Sequence, residues 1–230
     1  MKNDDSSLLP DQLDNIKSHV QKLLYKADAL GELPTPVDQL VRSANLHVNE
    51  DFVLVNDYKM IRNFTSRIEK VARPSIHGIK KLLGLLHVPS GEILIDHLQH
   101  KNKKTFIKLH EAGHGFLPHQ RLVYEIMEDG ELELDPDIEE LFEHEANNFA
   151  SEALFQLDKY EKMAADYTIS IKTPIDLSKK FGSSVYASTR RYVQTHFSPL
   201  ALGIYNKIED VSLAPWFCFT TSSYAFSDFS

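Results

Sequence analysis

The sequence predicts an α+β fold, mostly helical with a small antiparallel sheet, and three features carry that expectation. Leu9, Leu13, Ile16, Val20, Leu23, Ala27 and Leu30 recur every three or four positions, the period of one helical face. Asp135-Pro136, followed by Asp137, Glu139 and Glu140, reads as a helix start. It offers a capping carboxylate, a proline where no N–H is needed, and acidic groups at the positive end of the helix dipole. The apolar stretches Ile79 to Val88 and Glu92 to Asp96 flank Pro89-Ser-Gly91, a turn-forming cluster, and read as a hairpin.

In chain order, the first helix runs from Leu9 to Leu30 and is broken by Pro34-Thr-Pro36. Val37 to Ala44 reads as a short second helix and Phe52 to Val55 as a strand. Tyr58 to Ala72 is helical in pattern and stops at Pro74, because the residue before a proline is pushed out of the helical region. After the hairpin, Thr105 to Phe116 reads as a helix with Thr105 as its cap. The helix begun at Asp135 has Ile138, Leu141, Phe142, Phe149 and Ala153 as its apolar face. Tyr160 to Tyr167 and Pro174 to Thr195 are helical, the latter broken near Gly182. Ala201 to Tyr205 and Trp216 to Ser222 are β-prone and aromatic. The expected layout is a domain over residues 1–198, with helical region 1–75, hairpin and central helices 76–165 and further helices 166–198. A short β-rich segment, 199–230, follows.

Bulk composition narrows the function. With 42% hydrophobic and 25% charged residues the chain is an ordinary globular protein, and its net charge of −8 argues against coating nucleic acid. The basic pairs Lys179-Lys180 and Arg190-Arg191 read as solvated surface charge. Cys218 is the only cysteine, which excludes an intrachain disulfide and suits a reducing compartment. Met1 to Pro10 is polar and acidic, unlike a secretory leader, and no apolar window approaches the ~18 residues of a membrane span. The expectation is a cytoplasmic protein with no membrane contact and no direct nucleic-acid binding.

The chemistry is concentrated in His110-Glu-Ala-Gly-His114, an H-E-x-x-H sequence on an expected helix. Histidines four apart share a helical face and can direct both rings at one Zn²⁺, at about 2.0–2.1 Å each. Glu111, about 100° further round, is off the metal and beside the water such a site holds, where its carboxylate can act as general base. Gly113 inside the helix costs roughly 1 kcal/mol against alanine, which points to another backbone pressed close there. A catalytic zinc site needs a third protein ligand, and the Asp135 helix offers Glu143 or Glu145. Glu143 shares a face with Asn147, so a ligand and a supporting amide can act together. Glu145 projects nearer the centre of the apolar stripe. Ala146 and Ala150 let this helix approach Gly113. His77, His87, His97, His100, His119 and His144 read as exposed or structural. Tyr124, Tyr192 and His196 are candidates for steadying an oxyanion.

These stretches resemble the ImmA/IrrE family of metallopeptidases, a gluzincin-like group. Gly84-Leu-Leu86, Gly91-Glu-Ile-Leu-Ile-Asp96 and Thr105 through His114 follow the family's hairpin, edge strand and active-site helix. Glu143-x-x-Ala-Asn-x-Phe-Ala150 matches its second helix. Pro36-Val37-Asp38 is similar as well, and so is Ser183 to Tyr205. The resemblance spans residues from about 30 to 205. It implies a zincin-like core with His110, His114 and Glu143 as metal ligands, Glu111 as base, and Zn²⁺ or another divalent ion such as Mn²⁺ as cofactor. It further implies peptide-bond hydrolysis in a separate helix-turn-helix repressor, since this chain shows no such module of its own. Where the family has Leu-Leu-x-Pro this chain has Ala153-Leu-Phe-Gln156, which leaves the packing beyond that point open. The reading takes the substrate as a strand along the Ile93–Asp96 edge, and allows a homo-oligomer. The rivals are a non-proteolytic metal-containing regulator that docks to a partner, and a zinc hydrolase of non-peptide substrates. An intact Glu111 argues against the first.

Overall fold

The computed structural model describes residues 8–52, 84–96, 98–129, 134–198, 200–204 and 219–222, and the chain divides after Leu157 into two units. In the first unit the N-terminal periodicity forms α1, Pro10–Lys26, which buries Ile16, Val20, Leu23 and Leu24. Leu30 lies beyond its end and is largely exposed. The second helix is α2, Val37–Ser43. The first strand, β1, is His47–Phe52, five residues ahead of the expected one. Residues 53–83, with the expected helix from Tyr58 to Ala72, lie outside the described residues.

The hairpin is present as β2, Gly84–His87, and β3, Glu92–Asp96, paired antiparallel with Leu86 opposite Ile93. Gly91 in the turn has φ +66°, and a Cβ there would sit 2.8 Å from the Asn45 carbonyl oxygen. The sheet is mixed, not antiparallel as expected, because β1 runs parallel to β3 with His47 opposite Glu92. The strand order is β1-β3-β2, so Ile93–Asp96 is the central strand and not an edge. Ile93, Leu94 and Ile95 are all buried, and such an unbroken apolar run is what a strand covered on both faces requires.

Helix α3, Lys101–Phe116, begins four residues before the expected start, with the His100 ring accepting from the Asn102 N–H at 3.3 Å. Thr105 is not its cap; its hydroxyl donates to the Lys101 carbonyl inside the helix. Helix α4, Pro118–Asp129, was not anticipated. Helix α5, Pro136–Leu154, starts as expected, with Asp135 Oδ1 accepting from the Asp137 N–H at 2.9 Å. Its apolar face buries Phe142, Phe149 and Ala153, but Ile138, one turn in, is 42% exposed.

Helix α3 is the centre of this unit, with α5 packed along one side and α2, β2 and β3 on others; α1 packs on α5. The α3–α5 approach is close at Gly113, where a Cβ would lie 3.3 Å from both Ala146 Cα and Phe149 Cβ. That answers the unfavourable glycine in the helix interior. Lys108 on α3 pairs with Asp38 at 2.7 Å and Glu50 at 2.6 Å, and Lys104 pairs with Glu50 at 3.1 Å, tying the helix to α2 and β1. After α5, Gln156 is buried in the left-handed region with φ +57°. Its amide accepts from the Gly31 N–H at 2.8 Å and donates to the Ala29 carbonyl at 3.1 Å. Gln156 thus holds the loop after α1.

The second unit holds α6, Lys159–Ala165, α7, Lys172–Phe181, and α8, Val185–Thr195. Gly182 ends α7 at φ +70°, where the break was expected. Tyr160 donates to the Ser188 carbonyl at 2.7 Å and its ring lies 5.2 Å from that of Phe181. Strands β4, Ala201–Ile204, and β5, Phe219–Ser222, pair antiparallel, with β5 beside α8. Among the described residues no helix is long and apolar enough to cross a membrane.

Candidate metal centre

The four-residue spacing does on α3 what helix geometry dictates. The His110 and His114 rings stand edge to face, centroids 4.7 Å apart, and their Nε2 atoms approach to 3.0 Å. Glu143, two turns into α5, brings Oε2 to 3.4 Å from His110 Nε2 and Oε1 to 3.5 Å from His114 Nε2. A tetrahedral ion with bonds of about 2.0–2.1 Å has ligand atoms about 3.3–3.4 Å apart, so this triangle fits one zinc-sized cation. Two imidazoles and a carboxylate also form a donor set that suits zinc. These three residues are the metal-competent cluster among the described residues.

Each histidine is held through its other nitrogen. His110 Nδ1 lies 3.1 Å from Asn147 Oδ1, and His114 Nδ1 lies 2.7 Å from Gln120 Oε1. Asn147 therefore supports the centre from the Glu143 face, as the spacing suggested. Gln120 was not foreseen, because it stands on α4. Pro118 at the first helical position and the spacing of Val123, Ile126 and Met127 are what announce that helix in the sequence. Glu145 is the more buried of the two candidate carboxylates, as the apolar stripe implied, yet it faces away from the histidine pair. It accepts from Gln120 Nε2 at 2.6 Å and lies 2.6 Å from His119 Nε2.

Glu111 is 5% exposed and packed under β2. The Leu86 N–H reaches its carboxylate, and a Cβ on Gly84 would lie 3.2 Å from its Oε1 and 2.3 Å from Ile107 Cγ2. Glycine is the residue that lets β2 come this close. Burial pushes the Glu111 carboxyl above its ordinary range, against the pull of His110, His114 and the Leu86 N–H; Glu143 pushes in the same direction as burial. Burial would raise Glu143 too, but the His110 and His114 imidazoles beside it prevail and hold it far below the carboxylate range. Burial lowers His114, and Glu143 and Glu111 more than offset it, leaving the ring above its ordinary value. One carboxylate held ionised beside another pushed toward neutrality is a separation of roles common in hydrolytic sites.

Of the three oxyanion candidates, Tyr124 is the one at the histidine pair, its ring 5.7 Å from that of His114. Burial, then Glu143 and Glu111, raise its phenol, so it stays a proton donor. Tyr192 and His196 belong to the second unit, rings 5.0 Å apart. The Tyr192 hydroxyl and His196 Nε2 are buried with no hydrogen-bond partner among the described residues. His87 bonds Ser90 at 2.5 Å, His100 caps α3 and His144 lies 3.8 Å from Glu140. His77, His97 and Cys218 lie outside the described residues. In the basic pairs, Lys179 faces Asp176, Lys180 donates to the Tyr167 hydroxyl and Arg191 pairs with Glu161.

No protein-family model matches the chain, and no curated protein does.

Proposed function

We propose that this chain is a zinc-dependent endopeptidase of the cell interior. The observation that carries the reading is the cluster of His110 Nε2 and His114 Nε2, 3.0 Å apart, with Glu143 Oε2 at 3.4 Å from the first and Oε1 at 3.5 Å from the second, and Glu111 one residue along the same helix. When bound, Zn²⁺ supplies a Lewis acid that polarises the scissile carbonyl and acidifies water. Glu111 takes the proton of the attacking water on a carboxylate oxygen and passes it to the leaving amine nitrogen. A carboxylate raised by burial is a stronger base for the first of these transfers than an exposed one. Tyr124 is suited to donate a hydrogen bond to the carbonyl oxygen as it gains charge.

The reading takes the substrate strand to run along β2 and not β3, and what supports this is that β3 is paired on both sides and β2 borders Glu111. The resemblance to the ImmA/IrrE family supports a helix-turn-helix repressor as the protein cleaved, with relief of repression as the consequence. The single cysteine suits a reducing, cytoplasmic setting. Intact-mass measurement of candidate repressors incubated with the protein tests the reading. Fragments should appear with zinc, and vanish with chelator or with Glu111→Gln. A repressor that is bound but never cut would favour the docking regulator instead.

A further inference from the structure

Resting on the zinc reading above, we infer that Gln120 and Glu145 are positioning residues that lock His114 in one tautomer, with its Nε2 lone pair ready for a metal before any metal arrives. The argument is one of donors and acceptors. The Gln120 side-chain nitrogen lies 2.6 Å from Glu145 Oε2 and 3.2 Å from the Phe142 carbonyl oxygen. A carboxylate and a backbone carbonyl only accept, so this end of the amide must be the NH₂. A flipped amide would set its oxygen against two others in a site where Gln120 is 0% and Glu145 5% exposed. With the amide fixed, Oε1 is the atom 2.7 Å from His114 Nδ1, and an oxygen there requires Nδ1 to carry the hydrogen. In the neutral ring the lone pair is then on Nε2, the atom that faces His110 Nε2 and Glu143 Oε1.

Glu145 is itself anchored. Its Oε2 lies 2.6 Å from both His119 Nε2 and Gln120 Nε2. His110 has no equivalent lock. Its Nδ1 faces Asn147 Oδ1 at 3.1 Å, but among the described residues none bonds the Asn147 amide nitrogen to set which way that amide points. The centre thus has one histidine committed in advance and one that orders with the ion. Glu145, which the sequence offered as a rival ligand, acts on the metal through Gln120.

Two measurements test this on the full chain. In the metal-free protein, in solution alkaline enough to keep the imidazoles neutral, ¹⁵N-resolved NMR should show His114 as the pure Nδ1–H tautomer, and Gln120→Met should turn it into a mixture. Competition with a zinc-binding dye should show Gln120→Met lowering zinc affinity about 10–100-fold, the usual cost of losing a group that orients a ligand. Glu145→Gln, which keeps the shape, should lower affinity by less, and should add almost nothing in the Gln120→Met background. A mixed His114 tautomer in the parent protein overturns the lock, and so do additive losses or a folded Gln120→Met with parental affinity. Should Gln120→Met not fold, Glu145→Gln and the parent spectrum decide. A parent chain that takes up no zinc yet shows the single tautomer would sink the peptidase reading and leave the lock standing.

Discussion

Gly113→Ala tests whether the approach of α3 to α5 is as tight as the metal triangle demands. In an exposed helix this change gains about 1 kcal/mol from helix propensity. Here the new methyl meets Ala146 Cα, Phe149 Cβ and Phe149 Cδ1, each at 3.3 Å, closer than such atoms normally pack. None can swing away, since one is backbone and the others belong to a fully buried ring. Overpacking of this kind costs about 1–3 kcal/mol, so the propensity gain is cancelled and a net loss of up to about 2 kcal/mol is expected. For a chain of this size that is a fall in melting temperature of up to roughly 8 °C. The helices must part by a few tenths of an ångström, and Glu143 rides on the one that retreats, so zinc affinity should fall as well. Gly115→Ala is the control, because its methyl meets only Leu46 and Leu86 side-chain ends, at 3.0 to 3.3 Å. Those ends can move, and most of the propensity gain should survive. Calorimetry of the metal-free proteins and dye competition read both effects. A Gly113→Ala protein more stable than its parent by the full propensity gain, with parental zinc affinity, would refute the claim that close α3–α5 contact excludes a side chain.

Three further outcomes are expected. Glu143→Ala should abolish tight zinc binding, and a retained stoichiometric zinc, by metal analysis, would remove Glu143 from the centre. Gln156→Leu should cost about 1–3 kcal/mol in denaturant unfolding, because it removes the buried amide that donates to the Ala29 carbonyl and accepts from the Gly31 N–H; an unchanged midpoint would show that water or a shift of the loop replaces the amide. Glu50 is held below its ordinary 4.5, chiefly by hydrogen bonding to Lys108, so its contribution to stability is present above pH 4.5 and is lost as pH falls through the lower folded value. The side chain is 40% exposed, so the effect is modest and salt-screened. Glu50→Gln should flatten the acid side of the melting-temperature profile at low ionic strength, and parallel profiles for the two proteins would count against it.

Local chemistry was legible wherever a residue's role depends on its neighbours in the chain. Asp135 and Pro136 start α5, Gly182 ends α7, Pro89-Ser90-Gly91 turns the hairpin, and the four-residue spacing puts His110 and His114 on one side of α3. Each follows from backbone geometry within about one turn. Tertiary structure decided what depends on partners distant in sequence. The sheet is mixed because β1, some forty residues before β3, joins it in parallel, and no local pattern specifies that pairing. Likewise the wheel of α5 correctly buried Glu145, but burial does not say against what. Only the packing of α3 and α4 shows Glu143 meeting the histidines while Glu145 meets Gln120. The sequence by itself determined which side chains can do the chemistry. The fold decided which of them share a centre, because that is set by contacts between helices whose register no single helix encodes.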